Sequence, residues 1–294
     1  MKKCFAMLLC LLLVISSQIP SMAESKGDTA KLQLYLMRYG FYSMKVDGDY
    51  GNGTKRAVSD FQNANGLTAT GEADEDTKKL LFDGKPVSNQ PDFELRNGIT
   101  WGMIGEELDD AMAAEGISSH EDMSVGWITF RVYRKVPVSD YKVTMACWML
   151  GDFGLQAVFY ATIPNSALKG SALIEDSDNL KLLLEMKYGK ADYDNWEWTD
   201  SDFSYIFTDE DGAAMGYYTR IVDWDLDGVM LQLCVNSDME DYGLARKPTA
   251  WIGYYNEFFL NVMDIMDSVT DDDILQVIYE CMGVEVEEPN MNGL

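Results

Sequence analysis

The apolar and polar positions at the start of the chain follow an export pattern. Residues 1–23 open with a lysine pair, continue with an apolar run over 5–15 and end in small residues. A basic start, an apolar centre and a small-residue end are typical of a secretory signal peptide. The run is shorter than the ~20 residues that span a bilayer. We therefore expect cleavage near Ala23, a secreted protein, and no membrane contact afterwards.

The next segment, 27–82, has the pattern of three short helices joined by tight turns. Its first apolar stretch stops at Gly40, which can end a helix. Thr54 can cap the second helix, which carries Ala57 and Phe61 on one face. Asp76 precedes the third apolar stretch. The pattern predicts a small all-α domain over 24–85.

From residue 93 onward the pattern changes to one helix, several strand-like runs, a second helix and further strand-like runs. This order predicts an α+β module with antiparallel sheet over 93–256. It also suggests a weak duplication into units 93–170 and 171–256. Residues 257–294 are expected to form C-terminal helices and a tail. The strand-like runs are 126–134, 142–150, 155–163, 203–208, 215–224, 229–235 and 251–255.

The charge of the chain separates the same two regions. Residues 24–88 hold 9 basic and 10 acidic side chains, whereas 89–294 hold 12 basic and 39 acidic ones. The change coincides with Pro86 and Pro91, which predicts a linker over 86–92. A net charge of −26 argues against nucleic acid and against an anionic membrane as partners.

A series of motifs in the first region is specific enough to suggest a family. The motifs are QxxLxxYGFY at 33–42, VDGDYGxxTxxAVxxFQxxNGL at 46–67, TG at 70–71 and TxxLL at 77–81. Over about a fifth of the chain this series resembles the peptidoglycan-binding domain-1 family. The resemblance implies a non-catalytic three-helix domain that holds its host protein on peptidoglycan.

Most residues of these motifs are expected to be structural, as apolar core or as turn glycines. The remaining polar and aromatic edge could contact a glycan or a stem peptide, because rings pack on sugars and amides pair with hydroxyls. Asp47 could instead brace its own turn through an Asx bond. The predicted peptidoglycan-binding residues are Tyr42, Asp47, Gly48, Tyr50, Thr54, Gln62 and Asn65.

The acidic module carries weaker signals. The segment 96–103 before an acidic helix is similar to the start of helix-plus-sheet repeats in the β-lactamase-inhibitor-like group, which serve protein contact. The segment 223–228 resembles the start of a calcium loop, but the twelfth position is Cys234 rather than Glu. A hairpin turn is the simpler interpretation. We expect no metal and no cofactor. Trp196 and Trp198 are the best candidates for an exposed aromatic pair.

The thiols leave one question open. After cleavage the chain keeps Cys147, Cys234 and Cys281, an odd number without metal or redox spacing. One disulfide with a free thiol and three buried reduced cysteines both fit the sequence.

Candidate chemistry is sparse. His120 is the single histidine and stands in a polar run, so we expect a solvated loop residue. A zinc hydrolase of the usual kind needs at least two His ligands, and a Cys/His peptidase needs a paired thiol. We therefore expect a secreted, non-catalytic cell-wall protein (extracellular or periplasmic) that binds peptidoglycan and presents residues 93–256 to another envelope protein. The alternative is a peptidoglycan glycosidase, which needs two carboxylates ~5–10 Å apart in a cleft.

Overall fold

The computed structural model describes residues 25–125, 128–138, 141–162, 170–199, 201–205, 208–236 and 250–283. The predicted signal peptide, 1–23, lies outside these residues, and so does most of the C-terminal tail. In the described part of the chain, no helix combines the length and the apolar character needed to cross a membrane.

Three helices form the N-terminal domain: α1 (Lys26–Arg38), α2 (Asn52–Ala64) and α3 (Glu75–Asp83). Ser25 begins α1 with a capping box to Asp28, and Asp74 caps α3 by accepting from the N–H of Thr77 at 2.9 Å. Bonds from Thr77 also lower the pKa of Asp74. Gly51 precedes α2 and supplies no side-chain cap, so the expectation that Thr54 caps this helix is wrong.

The second part of the chain is built on one eight-stranded sheet within the described residues. Its strand order is β1-β2-β3-β4-β8-β7-β6-β5, and every neighbouring pair is antiparallel. Two four-stranded meanders therefore meet through their last strands. The strands are β1 (His120–Val125), β2 (Ile128–Val138), β3 (Tyr141–Met149), β4 (Leu155–Thr162), β5 (Tyr193–Trp198), β6 (Tyr218–Leu226), β7 (Val229–Val235) and β8 (Ala250–Asn256).

Five helices accompany the sheet in the described residues: α4 (Gly105–Ala114), α5 (Gly170–Tyr188), α6 (Asp209–Met215), α7 (Glu257–Ser268) and α8 (Asp272–Cys281). Helices α4 and α5 each precede one meander, as the order of sequence patterns predicted. The predicted fold class, a small all-α domain followed by an α+β module, is confirmed. The exact domain and repeat boundaries stay predictions, as does the similarity to β-lactamase-inhibitor-like repeats.

Several strand predictions need correction. Residues 203–208 were expected to form a strand, but a short 3-10 helix ends at Tyr205 and α6 begins at Asp209. Strands β1 and β5 were not expected, because both are edge strands with many polar residues. An edge strand has solvent on one side and lacks the continuous apolar pattern of a central strand.

Both faces of the sheet are covered, by different parts of the chain. Alternate side chains of a strand point to opposite faces. On one face α4 packs on the first meander through Leu108 and Met112, and α5 packs on the second through Leu184. On the other face α7 covers the middle of the sheet, where Trp148 meets Phe259 with ring centroids 5.6 Å apart, and α8 packs on α1.

Each meander contains an arginine that is paired with two carboxylates beneath its own helix. The guanidinium bonds one Asp on the neighbouring edge strand and one Asp on the covering helix. The bond from the guanidinium lowers the pKa of the edge-strand carboxyl group in each cluster, Asp122 and Asp194. The two clusters are Arg131 with Asp122 and Asp109, and Arg220 with Asp194 and Asp178.

The N-terminal domain packs tightly on the sheet module and shares a hydrophobic core with it. The ring of Tyr35 in α1 lies 5.3 Å from that of Phe153, and Lys26 forms an ion pair with Asp271 at the start of α8. The predicted linker contributes as well, because the N–H of Asn89 donates to the carbonyl of Tyr39 at 2.8 Å. The two parts are therefore packed against each other rather than joined by a free tether.

Candidate functional site

The centre of the N-terminal domain is a buried glutamine in α1. Gln33 is fully buried, and its Nε2 donates to Oδ1 of Asp47 at 2.9 Å and to Oγ1 of Thr54 at 3.0 Å. Its Oε1 accepts from the N–H groups of Asp47 and Gly48 at 3.1 and 2.9 Å. Asp47 also accepts from the N–H of Asp49 at 2.9 Å, which is the Asx bond considered above. This glutamine fixes the turn between α1 and α2.

A second buried glutamine repeats this arrangement in α2. Oε1 of Gln62 accepts from the N–H groups of Thr70 and Gly71 at 2.9 and 3.0 Å. Its Nε2 donates to the carbonyl of Glu72 at 2.8 Å and to Oγ1 of Thr77 at 2.9 Å. Gly71 has φ +72°, close to the +71° of Gly48 in the first turn. Both turns need glycine because residues with a Cβ atom rarely adopt a positive φ.

The remaining predicted binding residues also have partners inside the domain. Tyr42 is buried and donates to the carbonyl of Lys45 at 2.8 Å. The hydroxyl of Tyr50 donates to the carbonyl of Gly71 at 3.1 Å, which joins the two turns. Asn65 accepts from the N–H of Val87 at 2.7 Å. Contact of any predicted residue with peptidoglycan stays a prediction, but each has a structural role in the domain.

The surface of this domain is formed instead by residues that the sequence reasoning did not single out. Met44 is 48% exposed, and the residues around it at 43–45 are exposed too. Lys55, Arg56 and the segment 68–70 are exposed as well. No sequence signal distinguishes these residues, because exposure depends on which faces the turns leave uncovered.

A second group of polar residues lies on the sheet. On the face that carries α7, strands β5, β6 and β7 present Tyr193, Asp223, Asp225 and Gln232, which we name the open sheet face. Tyr193 is 49% exposed, and it is the cross-strand partner of Asp223. Burial raises the pKa of Asp223, and the bond from Gln232 opposes that rise. A raised pKa is the direction expected of a carboxyl group that donates a proton.

An open pocket of about 430 Å³ lies next to this face, between the β6–β7 hairpin and the start of α7. Its lining includes Asp225, Asp227, Glu257 and the apolar Met230. Leu226 pairs with Val229, so Asp227 and Gly228 form the turn of the predicted hairpin, and 223–226 belong to β6. Within the described residues, no group of three or more His, Cys, Asp or Glu side chains is arranged to hold a metal ion.

The pocket adjoins the junction with the N-terminal domain. A Cβ atom added to Gly228 in the hairpin would lie 3.1 Å from Cδ of Pro91, in the predicted linker. The neighbouring Gln90 donates from Nε2 to the carbonyl of Met37 in α1 at 3.3 Å. The linker thus contacts the pocket wall on one side and the N-terminal domain on the other.

His120 occupies a different place from the one expected. It lies on edge strand β1 rather than in a loop, and its Nδ1 is 3.1 Å from Oδ1 of Asp109. The hydroxyl of Tyr133 donates to the same oxygen at 2.7 Å. The sequence could not show this contact, because it requires α4 to pack beside β1.

The predicted aromatic pair is half-buried. Trp196 stacks on Tyr218 at 4.8 Å, and Trp198 lies 4.9 Å from the same ring. Arg220 covers the Trp196 ring at 5.2 Å, and Trp198 packs closely on Gly212. The rings contact one another and their neighbours, so little of their faces is left for a sugar.

The three cysteines are all buried and none forms a disulfide in the structure. Burial raises the pKa of Cys281 to about 11 and raises that of Cys147 as well. Buried thiols with raised pKa values are poor nucleophiles at neutral pH. Of the two alternatives left by the sequence, the structure has the three reduced cysteines.

Comparison with known proteins identifies the N-terminal part. Residues 25–81 match the family described as putative peptidoglycan binding domain. Two curated relatives from Bacillus cereus, both named Spore cortex-lytic enzyme, are each 41% identical to this chain over 66 residues. The match covers 22% of this chain and 26% of each relative, so the chain spans about a quarter of their length. No solved structure matches the chain significantly.

The comparison confirms one prediction and contradicts another. The peptidoglycan-binding domain is present where the motifs predicted it, which supports binding to the cell wall. The expectation of a protein without catalytic activity is wrong, because both relatives are named as lytic enzymes. Of the two functions that the sequence left open, the wall hydrolase is favoured.

Proposed function

We propose that this protein is a secreted cell-wall lytic enzyme that binds peptidoglycan through residues 25–81 and cleaves its glycan strands with the sheet module. The family match supports the binding half of the proposal. The names of the two relatives support a lytic activity. The pocket beside the domain junction supports a substrate that is held by one part and cut by the other.

The observation that carries the catalytic half is a pair of carboxyl groups on one strand. Asp223 and Asp225 are two residues apart on β6 and therefore share a face. At ~3.3 Å of rise per residue their Cα atoms are about 6.6 Å apart. Inverting glycoside hydrolases hold the carboxyl groups of an acid and a base roughly 6.5–9.5 Å apart, and side chains that leave one face of a strand from such Cα positions can reach that separation.

The surroundings of the two groups assign their roles. Burial raises the pKa of Asp223, and this direction suits the general acid better than the general base. Asp225 is exposed and lines the pocket, so an ionised carboxylate there can activate water as the general base. Glycoside hydrolysis by two carboxyl groups requires neither a metal nor a nucleophilic cysteine.

The test measures binding and cleavage in the same sample. The secreted chain, residues 24–294, is incubated with purified insoluble peptidoglycan, and both the retained protein and the released reducing sugars are measured. We expect Asp223→Asn and Asp225→Asn each to lose sugar release by at least ~100-fold while retention is unchanged. Asp110→Asn, an exposed change on α4, is the matched control. Retention of the wild-type chain without sugar release would overturn the catalytic half.

A further inference from the structure

The open sheet face contains a hydrogen-bonded row that crosses three strands. Nε2 of Gln232 on β7 donates to Oδ1 of Asp223 on β6 at 2.8 Å. Oε1 of the same amide is 3.5 Å from the donor hydroxyl of Tyr255 on β8. Gln232 is the register partner of Asp223, so the strand pairing itself brings the two side chains together.

This bond distinguishes the two oxygens of Asp223. An amide N–H can only donate, so Oδ1 must accept from Gln232. A proton on the neutral carboxyl group therefore belongs on Oδ2. Tyr193 stands beside Asp223 as its partner on edge strand β5, and its half-exposed ring offers an apolar surface of the size of a sugar ring.

We propose that Gln232 is a positioning residue that holds Oδ1 of Asp223, so that the proton on Oδ2 faces a sugar ring packed against Tyr193. This proposal rests on the proposed function and names the substrate class at its site, a neutral pyranose ring of the glycan strand. When the glycosidic bond breaks, the proton moves from Oδ2 to the leaving oxygen. Water, deprotonated by Asp225, adds to the sugar carbon, and that proton remains on Asp225.

The groups that face Asp223 predict the direction in which its pKa should change when Gln232 is replaced. Tyr193 on β5 and Asp225 on its own strand are its titratable neighbours, and Gln232 on β7 is neutral. The N–H of Gln232 stabilises the carboxylate form, so it holds the pKa of Asp223 down while burial raises it. Removing this donor should therefore raise the pKa of Asp223 further.

The experiment compares wild type with Gln232→Met, which keeps the side-chain length and removes the N–H donor. Asp223 is titrated without substrate by NMR of a 13C-labelled carboxyl group, assigned with Asp223→Asn, and sugar release is recorded against pH. We expect the Asp223 titration and the alkaline limb of the activity profile both to move to higher pH, with about a 10-fold loss of kcat. Gln276→Met on the exposed face of α8 is the control.

A second variant tests whether a sugar ring packs on Tyr193. Replacing Tyr193 by Ala should raise the peptidoglycan concentration needed for half-maximal release at least ~5-fold, and it should leave kcat within about twofold. A fall in kcat without that rise would contradict packing of the sugar on this ring.

The outcomes separate the two proposals. If the wild type releases sugars but the titration of Asp223 is the same in Gln232→Met, the positioning role is wrong and the proposed function stands. If the wild type releases no sugars in any condition, the proposed function fails first, whatever the titration shows. A shift of both titration and alkaline limb supports both.

Discussion

Replacing Gln62 by Leu tests whether this predicted binding residue serves the fold instead. Leu has a similar volume and lacks both polar groups of the amide. Gln62 and Gly71 are both buried, so water cannot readily replace the bond between them, whereas Thr70 and Glu72 are exposed. The change would leave the N–H groups of Thr70 and Gly71 and the carbonyl of Glu72 without their bonds to the amide. The hydroxyl of Thr77 keeps its bond to Asp74.

The size of the effect follows from the two N–H groups and the carbonyl that lose their bonds, of which the N–H of Gly71 is buried. A buried polar group left without a partner costs about 1–3 kcal/mol, and a buried Leu side chain returns part of this through its apolar surface. We expect a loss of about 3 kcal/mol in the free energy of unfolding. Whole domains are stable by ~5–15 kcal/mol, so such a loss is readily measured.

Urea unfolding of residues 24–294 measures this loss by circular dichroism and by tryptophan fluorescence. All seven tryptophans lie beyond residue 100, so fluorescence reports on the sheet module alone. Because the two parts share a core, we expect both signals to shift together in Gln62→Leu. Asn63→Leu, an exposed neighbour in α2, should change little. Unchanged stability together with lost peptidoglycan binding would refute the structural role and favour direct contact.

Three further changes test other parts of the structure. Arg220→Met should cost about 1.5–3 kcal/mol at pH 7 in urea unfolding, because it removes charge-assisted bonds to two carboxylates that are partly exposed and keep part of their hydration. Arg220 lowers the pKa of Asp194, so its contribution is present above the usual Asp pKa and is lost as the pH falls through the lowered one. The difference from wild type should therefore shrink toward pH 3, and a difference that does not change with pH would contradict this pairing. Tyr35→Ala removes the ring contact with Phe153 and should lower the free energy of unfolding by about 3 kcal/mol. The looser junction should show as faster proteolysis within 86–92. An unchanged proteolysis rate would contradict the packed arrangement of the two parts. Gly48→Ala places an alanine at φ +71° and brings its Cβ to 2.7 Å from the carbonyl oxygen of Lys26. The melting temperature should therefore fall. An equal melting temperature would show that the turn relaxes to accept the side chain.

Much of the fold could be predicted because local patterns were strong. The motifs at 33–81 identified the N-terminal family, and the alternation at 229–235 predicted β7 with the bounds that the structure shows. The edge strands were missed and the run at 203–208 was misassigned, because short polar or mixed segments have no decisive period. Their conformation depends on the neighbouring strand or helix rather than on their own residues.

The candidate sites were less predictable than the fold. The sequence showed Gln33 only as one position of the family motif and predicted no role for it. Its amide nevertheless organises the turn between α1 and α2. Asp223 and Asp225 fell in a segment that resembles the start of a calcium loop, and nothing in the sequence indicated that one is half-buried and the other exposed. Gln232 lies seven residues from Asp225, and only the register of β6 and β7 places it beside Asp223.

By itself the sequence determined the local structure of this protein: the three-helix domain, the helix-and-strand order and the acidic character of the sheet module. The tertiary structure decided which side chains meet. It decided that the two parts share a core, that buried glutamines hold the turns, and that carboxyl groups line one face. The reason is that helix and turn preferences act over a few residues, whereas strand register and packing join residues far apart in the chain.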